Sequence, residues 1–311
     1  MKWKKVLKDG MRYLLFPDCR FLFNSARGMY RNWSDEKYLS KKFKLKMGRE
    51  LDLDNPKTFN EKLQWLKIYN RKPEYTMMVD KYLVREYIAN KIGEEYLIPL
   101  IGVWDNPNDI DFNSLPDQFV IKCNHNSGMG MYICKDKKRM NIPRVRAKLR
   151  KGYRQDFFLP GREWPYKDVP KKIVAEKYME DKATGELRDY KIYCFGGEPK
   201  IIMISRNRQG VGQTYFDYYD TEFNWMDMTW GNPRSPQKGE KPERFEDMLD
   251  LARVVSAGIP HVRVDFYIAN GQIYFGELTF FDGSGFEAIY PEKYDRIMGE
   301  WIQLPNKSNR K

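Results

Sequence analysis

Residues 261–286, HVRVDFYIANGQIYFGELTFFDGSGF, have the pattern of two β-strands joined by a tight turn. Apolar, β-branched and aromatic residues dominate both arms, and Asn270-Gly271 is a strong hairpin signal. Three charged residues interrupt the arms, namely Arg263, Asp265 and Glu277. Carboxylates that face the interior of a sheet are costly unless they are paired, hydrogen-bonded or coordinated to a metal. The pattern therefore predicts a divalent cation between the two acids.

The length of the turn decides whether the two acids face each other. A two-residue loop would place Asp265 opposite Gly276 and turn Glu277 to the other face of the sheet. A three-residue loop over residues 270–272 would pair Asp265 with Glu277, and Arg263 with Thr279. Because only the second register brings the carboxylates together, we predict the three-residue loop. The alternative is an edge hairpin whose charges lie in water.

Composition is that of a globular protein. The chain has 311 residues, of which 41% are hydrophobic and 15% aromatic, so it is long enough for two domains and a sizeable core. No run of about 18 apolar residues occurs, which argues against a transmembrane helix. The apolar segment after the basic first residues is too broken by charges for a signal-peptide core, so we expect a cytoplasmic protein.

Cysteine and histidine are sparse. The four cysteines lack C-x-x-C spacing and are expected to be buried free thiols, at positions 19, 123, 134 and 194. With only two histidines, at positions 125 and 261, we expect neither a multi-histidine zinc site nor a Ser-His-Asp relay.

The net charge of +12 is concentrated at the beginning of the chain. Residues 1–50 carry fourteen Lys or Arg and five Asp or Glu, a net charge of +9, interleaved with aromatic residues. Such an arm suits the anionic surface of a membrane or an acidic polymer. The alternative is a solvated basic helix-loop segment. No nucleic-acid motif accompanies the charge, and we expect no nucleic-acid partner.

A glycine-containing loop occupies residues 124–130, between two short apolar strands at 119–123 and 131–134. Glycines let backbone N–H groups approach a ligand closely, and a run of such donors binds phosphate. Lys122 precedes the loop and can place its ammonium on a phosphate oxygen. An ordinary hairpin turn is the alternative. The loop does not match the pattern G-x-x-x-x-G-K-[ST] of P-loop enzymes.

Further polar residues lie on strands later in the chain. Residues 143–170 form a basic region that we expect to begin as a helix and continue as a long loop over an active site. A strand at 172–179 then carries Glu176 and Lys177, and a hairpin strand at 189–195 carries Asp189 and Lys191. An amphipathic helix at 242–258 precedes the hairpin of residues 261–286.

In this order the motifs resemble the ATP-grasp superfamily. The final hairpin of D-alanine–D-alanine ligase-type sites, R-x-D…E-x-N followed by a small-residue loop, is similar to residues 263–265, 277–279 and 282–285. Five segments are more narrowly similar to the TupA-like ATP-grasp family, which is linked to teichuronopeptide and surface-polysaccharide biosynthesis. They are NPKTFNEKLQWLK, VIKCNHNSG, VAEKYM, RDYKIYCFGG and ELTFFDGSGF.

The resemblance implies an α+β fold in which two subdomains grip ATP, preceded by a short, mostly helical N-terminal region. We expect a basic aromatic arm at 1–50, a helical front region at 51–105, a small subdomain with the glycine loop at 106–180 and a large subdomain with the metal-binding hairpin at 181–311. The implied activity is ATP-dependent carboxylate-amine ligation through an acyl phosphate, acting on a surface or capsular polysaccharide. An amino acid and a uronic acid are the implied substrates.

The resemblance also implies roles for individual residues. Nucleotide-binding roles fall on Lys122, Ser127, Gly128, Gly130, Glu176, Lys177 and Asp189, and catalytic roles fall on Arg263 and Lys191. Mg²⁺, with Mn²⁺ as an alternative ion, would be held by Asp265, Glu277 and Thr279. Thr279 departs from the asparagine usual there, and its hydroxyl is a poorer cation ligand than an amide oxygen. The helical front region also departs from the Rossmann-like front domain of many ligases.

Two other functions compete with the ligase. Residues 52–54 and 109–111 are both D-x-D triplets, which glycosyltransferases use to hold a metal and a sugar nucleotide. The second alternative is a protein that binds nucleotide or glycan without catalysis. A cytoplasmic location, with contact to the inner face of the plasma membrane through residues 1–50, is compatible with each of them.

Overall fold

The computed structural model describes residues 17–306, except 183, 184, 186 and 208–211. The described part of the basic arm folds into two helices, α1 (Pro17–Ala26) and α2 (Asp35–Met47). Ser34 caps the start of α2, and Gly48 ends it in the left-handed conformation at φ 71°. Four buried residues of these helices pack against Ile68 and Phe286, namely Phe21, Tyr38, Leu39 and Phe43. Residues 17–50 are therefore part of the folded core.

Three helices form the front region: α3 (Phe59–Tyr69), α4 (Glu74–Val79) and α5 (Val84–Ile92). Helix α3 begins at a complete capping box, in which Thr58 and Glu61 each bond the other's backbone N–H. Asp80 separates α4 from α5, because its carboxylate accepts the N–H groups of Tyr82 and Leu83.

A four-stranded antiparallel sheet forms the small subdomain. Its strands are β1 (Leu100–Trp104), β2 (Phe119–Cys123), β3 (Met131–Cys134) and β4 (Ile173–Lys177), in the order β1-β4-β2-β3. Two helices follow β3, namely α6 (Ile142–Tyr153) and α7 (Phe158–Gly161). Strand β1 lies within the predicted front region, which ends at residue 105, yet it pairs with β4 of the small subdomain. The boundary at 105 stays a prediction.

A five-stranded antiparallel sheet forms the large subdomain, in the order β10-β9-β5-β6-β7. Its strands are β5 (Arg188–Phe195), β6 (Glu198–Arg206), β7 (Tyr215–Tyr219), β9 (His261–Ala269) and β10 (Gln272–Thr279). Helix α8 (Phe245–Ser256) packs on one face through Met248, Ala252 and Val255. Strands β8 (Thr229–Trp230) and β11 (Ile289–Tyr290) pair with each other. Helix α9 (Lys293–Trp301) packs against α3.

All four cysteines are free, and Cys123, Cys134 and Cys194 are buried as predicted, whereas Cys19 is half-buried. Within the described ranges, no helix has the length and apolar character needed to cross a membrane.

Candidate active site

The turn of the β9–β10 hairpin differs from the prediction, while the pairing of its charged residues agrees with it. Only Asn270 and Gly271 lie between the strands, and both have positive φ, at 53° and 76°. This is the two-residue turn that matches strand twist, so the predicted three-residue loop is wrong. A β-bulge at Gly276 supplies the extra residue instead. Asp265 therefore pairs with Glu277, and Arg263 with Thr279, as predicted.

Asp265 is the most buried acid of the hairpin, with 1% of its surface exposed. Arg263 donates to both of its oxygens, from Nε at 2.6 Å and from Nη2 at 2.7 Å. Lys191 of the neighbouring strand β5 donates to Oδ2. The predicted catalytic cations Arg263 and Lys191 thus converge on one predicted metal ligand.

Glu277 is more open than Asp265, with 30% of its side chain exposed. Its oxygens lie 3.4 Å from Arg263 Nη2 and 3.4 Å from Lys81 Nζ. Burial raises the pKa of this carboxyl, but the surrounding cations, Lys81 foremost, outweigh burial and lower the pKa to about 2. The Glu277 carboxyl is therefore ionised at neutral pH.

The donors at this position fit a hard divalent cation. Mg²⁺ prefers carboxylate oxygens and commonly takes only one or two of them from the protein. Glu277 presents an ionised carboxylate to the cleft, Asp265 lies across from it, and Thr279 adds a hydroxyl on the same face. Among the described residues no group of three or more acidic, histidine or cysteine side chains is arranged to hold a metal. Two carboxylates and a hydroxyl are the predicted set.

Lys81 was missed by the sequence reasoning. It follows Asp80 in the break between α4 and α5, and its ammonium donates to the carbonyl of Asn126 at 2.9 Å. The same ammonium lies near Glu277, so one lysine of the front region links the glycine loop to the hairpin. One feature of the sequence could have indicated Lys81. It directly follows Asp80, an aspartate that can end one helix and cap the next.

Lys122 and Glu176 form an ion pair across the small sheet. The Nζ–Oε2 distance is 2.6 Å, and Arg85 of α5 lies 3.8 Å from the other oxygen of Glu176. Lys177 is exposed at the end of β4, and strand alternation turns it to the opposite side from Glu176. The structure therefore brings Lys122 and Glu176 together and leaves Lys177 apart from them.

The glycine loop lies at the end of β2. Gly128 and Gly130 both have φ of 75°, a conformation that other residues rarely adopt. At Gly130 a Cβ atom would also lie 2.7 Å from Cys123 Sγ and 2.9 Å from Gly152 Cα. The loop thus rests tightly on α6, and Ser127 in the middle of the loop lines the cleft.

A cleft of about 310 Å³ opens beside the hairpin. Its charged lining residues are two cations and four acids, namely Lys191, Arg263, Glu163, Glu277, Asp282 and Glu287. Aromatic side chains line much of the remainder, namely Phe157, Tyr166, Tyr193, Phe216, Tyr218, Trp230 and Phe281. Asp189 is buried on β5, on the same face as Lys191, but it does not line this cleft.

Asp282 begins the small-residue loop after β10. It accepts from Arg263 Nη1 at 2.6 Å and from Tyr193 Oη at 2.5 Å. Burial raises its pKa, but Arg263 and the Tyr193 hydroxyl outweigh burial, so the pKa of Asp282 falls below its ordinary value. Arg263 is thereby held between Asp265 and Asp282.

A buried lysine of α3 supports the same loop. Lys67 is fully buried, and its ammonium donates to the carbonyls of Gly161 at 2.9 Å and Ser284 at 2.7 Å. Burial lowers the pKa of Lys67 to about 7 and raises that of Glu163, whose carboxyl also lines the cleft. Ser284 itself has a φ of 54° and is held in that conformation by these contacts.

A model of the TupA-like ATP-grasp family matches residues 61–303. The chain belongs to the TupA-like ATP-grasp family. This family membership confirms the predicted α+β ATP-grasp fold. The matched range begins inside the capping box of α3 and ends just beyond α9, so it includes both sheets and most of the helical front region.

Solved ligase structures show weaker similarity. They include D-alanine–D-alanine ligase from Bacillus anthracis complexed with ATP, at 17% identity and a TM-score of 0.39, covering 66% of this chain and 54% of that one. The Helicobacter pylori D-alanine–D-alanine ligase is 12% identical with a TM-score of 0.43, covering 79% and 69%. N5-carboxyaminoimidazole synthase from Aspergillus clavatus, complexed with ADP and 5-aminoimidazole ribonucleotide, is 13% identical with a TM-score of 0.39, covering 78% and 55%. This chain thus spans about half the length of the Bacillus ligase. No curated protein matched.

The two D-x-D triplets of this TupA-like protein serve as turns. Asp52 accepts the N–H groups of Asp54 and Asn55, and Asp111 accepts that of Asn113. All the aspartates of the triplets are exposed, and none lines the cleft. Asp52 and Asp111 therefore stabilise local turns.

Proposed function

We propose that this TupA-like protein is an ATP-dependent carboxylate-amine ligase that modifies a surface or capsular polysaccharide or its precursor. The observation that carries the proposal is the group of cations around two paired carboxylates. Lys81, Lys191 and Arg263 come from three separate parts of the chain, and all reach Asp265 or Glu277. Such a concentration of positive charge suits the phosphates of a nucleotide.

We assign nucleotide binding to both sheets. In the small sheet, Lys122 would contact the α- and β-phosphates, and the loop at Ser127, Gly128 and Gly130 would close over them. Glu176 and Lys177 would lie near the adenine edge, and Asp189 on the nucleotide side of the large sheet. The pairing of Lys122 with Glu176 supports this assignment, because it holds the lysine extended beside the glycine loop.

Asp265, Glu277 and Thr279 would hold Mg²⁺, or Mn²⁺ in its place. When bound, the ion reduces the negative charge of the β- and γ-phosphates that repels an approaching carboxylate. The low pKa of Glu277 and the shared face of the three residues support the assignment.

The proposed reaction has two steps. A substrate carboxylate oxygen attacks the γ-phosphorus, the bond to ADP breaks, and an acyl phosphate forms. An amine nitrogen then attacks the acyl carbon, inorganic phosphate leaves, and loss of a proton from nitrogen gives the amide. Arg263 and Lys191 would stabilise the negative charge that develops in both steps.

The aromatic wall of the cleft supports a carbohydrate substrate. Three of its aromatic side chains are half-buried and line the cleft, namely Phe157, Tyr166 and Phe216. Such a surface accepts the apolar face of a sugar ring while hydroxyl groups reach polar neighbours. A uronic acid joined to an amino acid agrees with this wall and with the two cations of the cleft, Lys191 and Arg263.

An ATP-dependent phosphate-release screen across amino acids and uronic-acid glycans tests the proposal. We expect release that requires one carboxylate, one amine and Mg²⁺, and we expect Lys122→Ala to abolish it. Lys200→Ala, an exposed lysine on β6, is the matched control and should retain activity. Thermal stabilisation by a UDP-sugar but not by ATP would contradict the ligase. Stabilisation by ATP without phosphate release under any substrate pair would indicate binding without catalysis.

A further inference from the structure

A second basic surface lies on the small subdomain. Residues 135–154 contain ten Lys or Arg and a single acid, Asp136. Helix α6 turns Val145, Leu149 and Gly152 towards the sheet, which leaves most of these cations on the outside. None of the ten lines the cleft beside the hairpin. The proposed ligase chemistry leaves this charge without a use.

The cations on one side of α6 have a structural role. Arg146 donates to the carbonyls of Pro107, Asn108 and Ile110, and Arg150 donates to the side chain of Asn108. These contacts attach the loop that follows β1 to the helix. The positive charges of Arg146 and Arg150 are thus directed at carbonyl and amide oxygens of that loop.

The cations on the other side line a groove. It has a volume of about 330 Å³ and lies between α6 and the edge strand β3. Its lining residues are Tyr132, Arg139, Asn141, Arg144, Val145 and Lys148. None of them is acidic, so the groove is a concave site of positive charge with one aromatic side chain.

Arg144, Lys148 and Lys151 lack acidic partners in the part of the chain that the structure describes, where no carboxylate lies within 4.0 Å of them. Arg139 contacts Asp136 at 3.3 Å, and 88% of its side chain is exposed. Like charges this close on a helix repel one another. The cost is offset when an anion binds, and a purely structural helix would gain nothing from this arrangement.

The row of cations leads towards the glycine loop. Positions 144, 148 and 151 follow one face of α6 over about 10 Å. The next residue, Gly152, packs against the loop, since a Cβ there would lie 2.5 Å from Gly130 Cα. The groove thus lies beside the first half of α6, and the glycine loop packs against its last turn.

We propose that this groove and the cation row bind an anionic polysaccharide chain, outside the nucleotide cleft. The identity of the chain as a polysaccharide rests on the proposed function, whereas the anion site rests on the geometry alone. The proposal favours a single polymer chain over a membrane surface, because the site is concave and lacks exposed apolar anchors. Met131 and Ile133 are exposed on β3, but strand alternation turns them away from Tyr132 and the groove.

Binding without ATP tests this site independently of catalysis. The probe is a labelled polygalacturonate oligomer, with a dextran oligomer of equal length as the neutral comparison, measured by fluorescence anisotropy. We expect Arg144→Glu/Lys148→Glu to weaken polygalacturonate binding about tenfold or more, and high salt to weaken the original protein likewise. Both residues are exposed, so the melting temperature should stay unchanged.

The matched control is Lys200→Glu/Arg296→Glu, which changes the net charge equally at exposed sites elsewhere. An equal loss in this control, or equal binding of dextran, would overturn the proposal. Binding of vesicles containing phosphatidylserine that depends on Arg144 and Lys148, with no binding of the oligomer, would overturn it in favour of a membrane. Oligomer binding without any phosphate release would support the anion-binding groove and contradict the proposed ligase activity.

Discussion

Arg263 is the residue that holds the carboxylates of the site together. Its guanidinium contacts Asp265, Glu277 and Asp282 together, so it fixes three carboxylates at one end of the cleft. Its pKa rises well above the ordinary value because the attraction of Asp265 and Asp282 exceeds the effect of burial. The cation is therefore present at every pH at which the protein is folded.

His261, at the beginning of β9, makes stability sensitive to acid. Burial lowers its pKa to about 4, and its Nδ1 lies 2.9 Å from the carbonyl of Cys194. Between pH 6.5 and 4 the unfolded chain binds this proton and the folded chain does not, so stability falls as pH falls through that window. Removing the titration in His261→Gln should flatten this acid limb by roughly 3 kcal/mol in urea denaturation. Parallel stability curves for the two proteins would contradict the assignment.

Lys67 should matter more than a typical lysine. Lys67→Met leaves the buried carbonyl of Gly161 without its side-chain donor and that of Ser284 with only Gln64, at 3.2 Å, and we expect a loss of about 2–4 kcal/mol in the free energy of unfolding. The Asp282–Gly285 loop should loosen, which hydrogen exchange detects. Lys62→Met, on the same helix with a single carbonyl partner at 2.8 Å, should cost less. Equal losses would show that Lys67 has no special role.

At the scale of elements, the bulge at Gly276 sets the geometry of the hairpin. A Cβ there would lie 2.9 Å from the Tyr267 ring and 3.1 Å from the carbonyl oxygen of Asp265. We expect Gly276→Ala to cost about 1–3 kcal/mol and to weaken Mg²⁺-dependent ATP binding, as measured by calorimetry. Gly271→Asn is the control, because that position is open and asparagine tolerates positive φ. Unchanged binding in Gly276→Ala would separate the bulge from the site.

At the scale of the whole molecule, the first helices contribute to the core. Deleting residues 1–50 would uncover Ile68 and Phe286, at a cost of about 3–6 kcal/mol for these two side chains alone. We expect a lower melting temperature and stronger binding of a hydrophobic dye. A truncated protein as stable as the full chain would contradict this packing.

Membrane contact through residues 1–50, which we propose for the inner face of the plasma membrane, needs a gentler test than deletion. Lys41 and Lys44 are exposed on α2, with side chains 44% and 56% accessible. Lys41→Gln/Lys44→Gln should reduce sedimentation with anionic vesicles while the melting temperature stays unchanged. Lys200→Gln/Arg296→Gln is the charge-matched control. Equal sedimentation of all three proteins would contradict the membrane contact.

Local patterns in the sequence predicted the elements that depend on neighbouring residues. The capping box of α3, the strands on either side of the glycine loop and the hairpin over residues 261–286 all follow from spacing and turn chemistry. The pairing of Asp265 with Glu277 was also predicted correctly, because two acids on opposite faces of a hairpin would not share a partner. The length of the turn was not predicted correctly, since a two-residue turn with a bulge and a three-residue turn give the same pairing.

The sequence by itself determined the family, the two strands of the hairpin and three of the charged residues that line the cleft, Lys191, Arg263 and Glu277. Only the tertiary structure decided which cations reach the two carboxylates. Lys81 precedes Glu277 by almost two hundred residues, and Lys67 meets Ser284 across a similar separation. No local periodicity encodes such contacts, because they arise when helices α3 and α4 pack beside the hairpin. The physical reason is that charge acts through space, whereas sequence patterns report only neighbours along the chain.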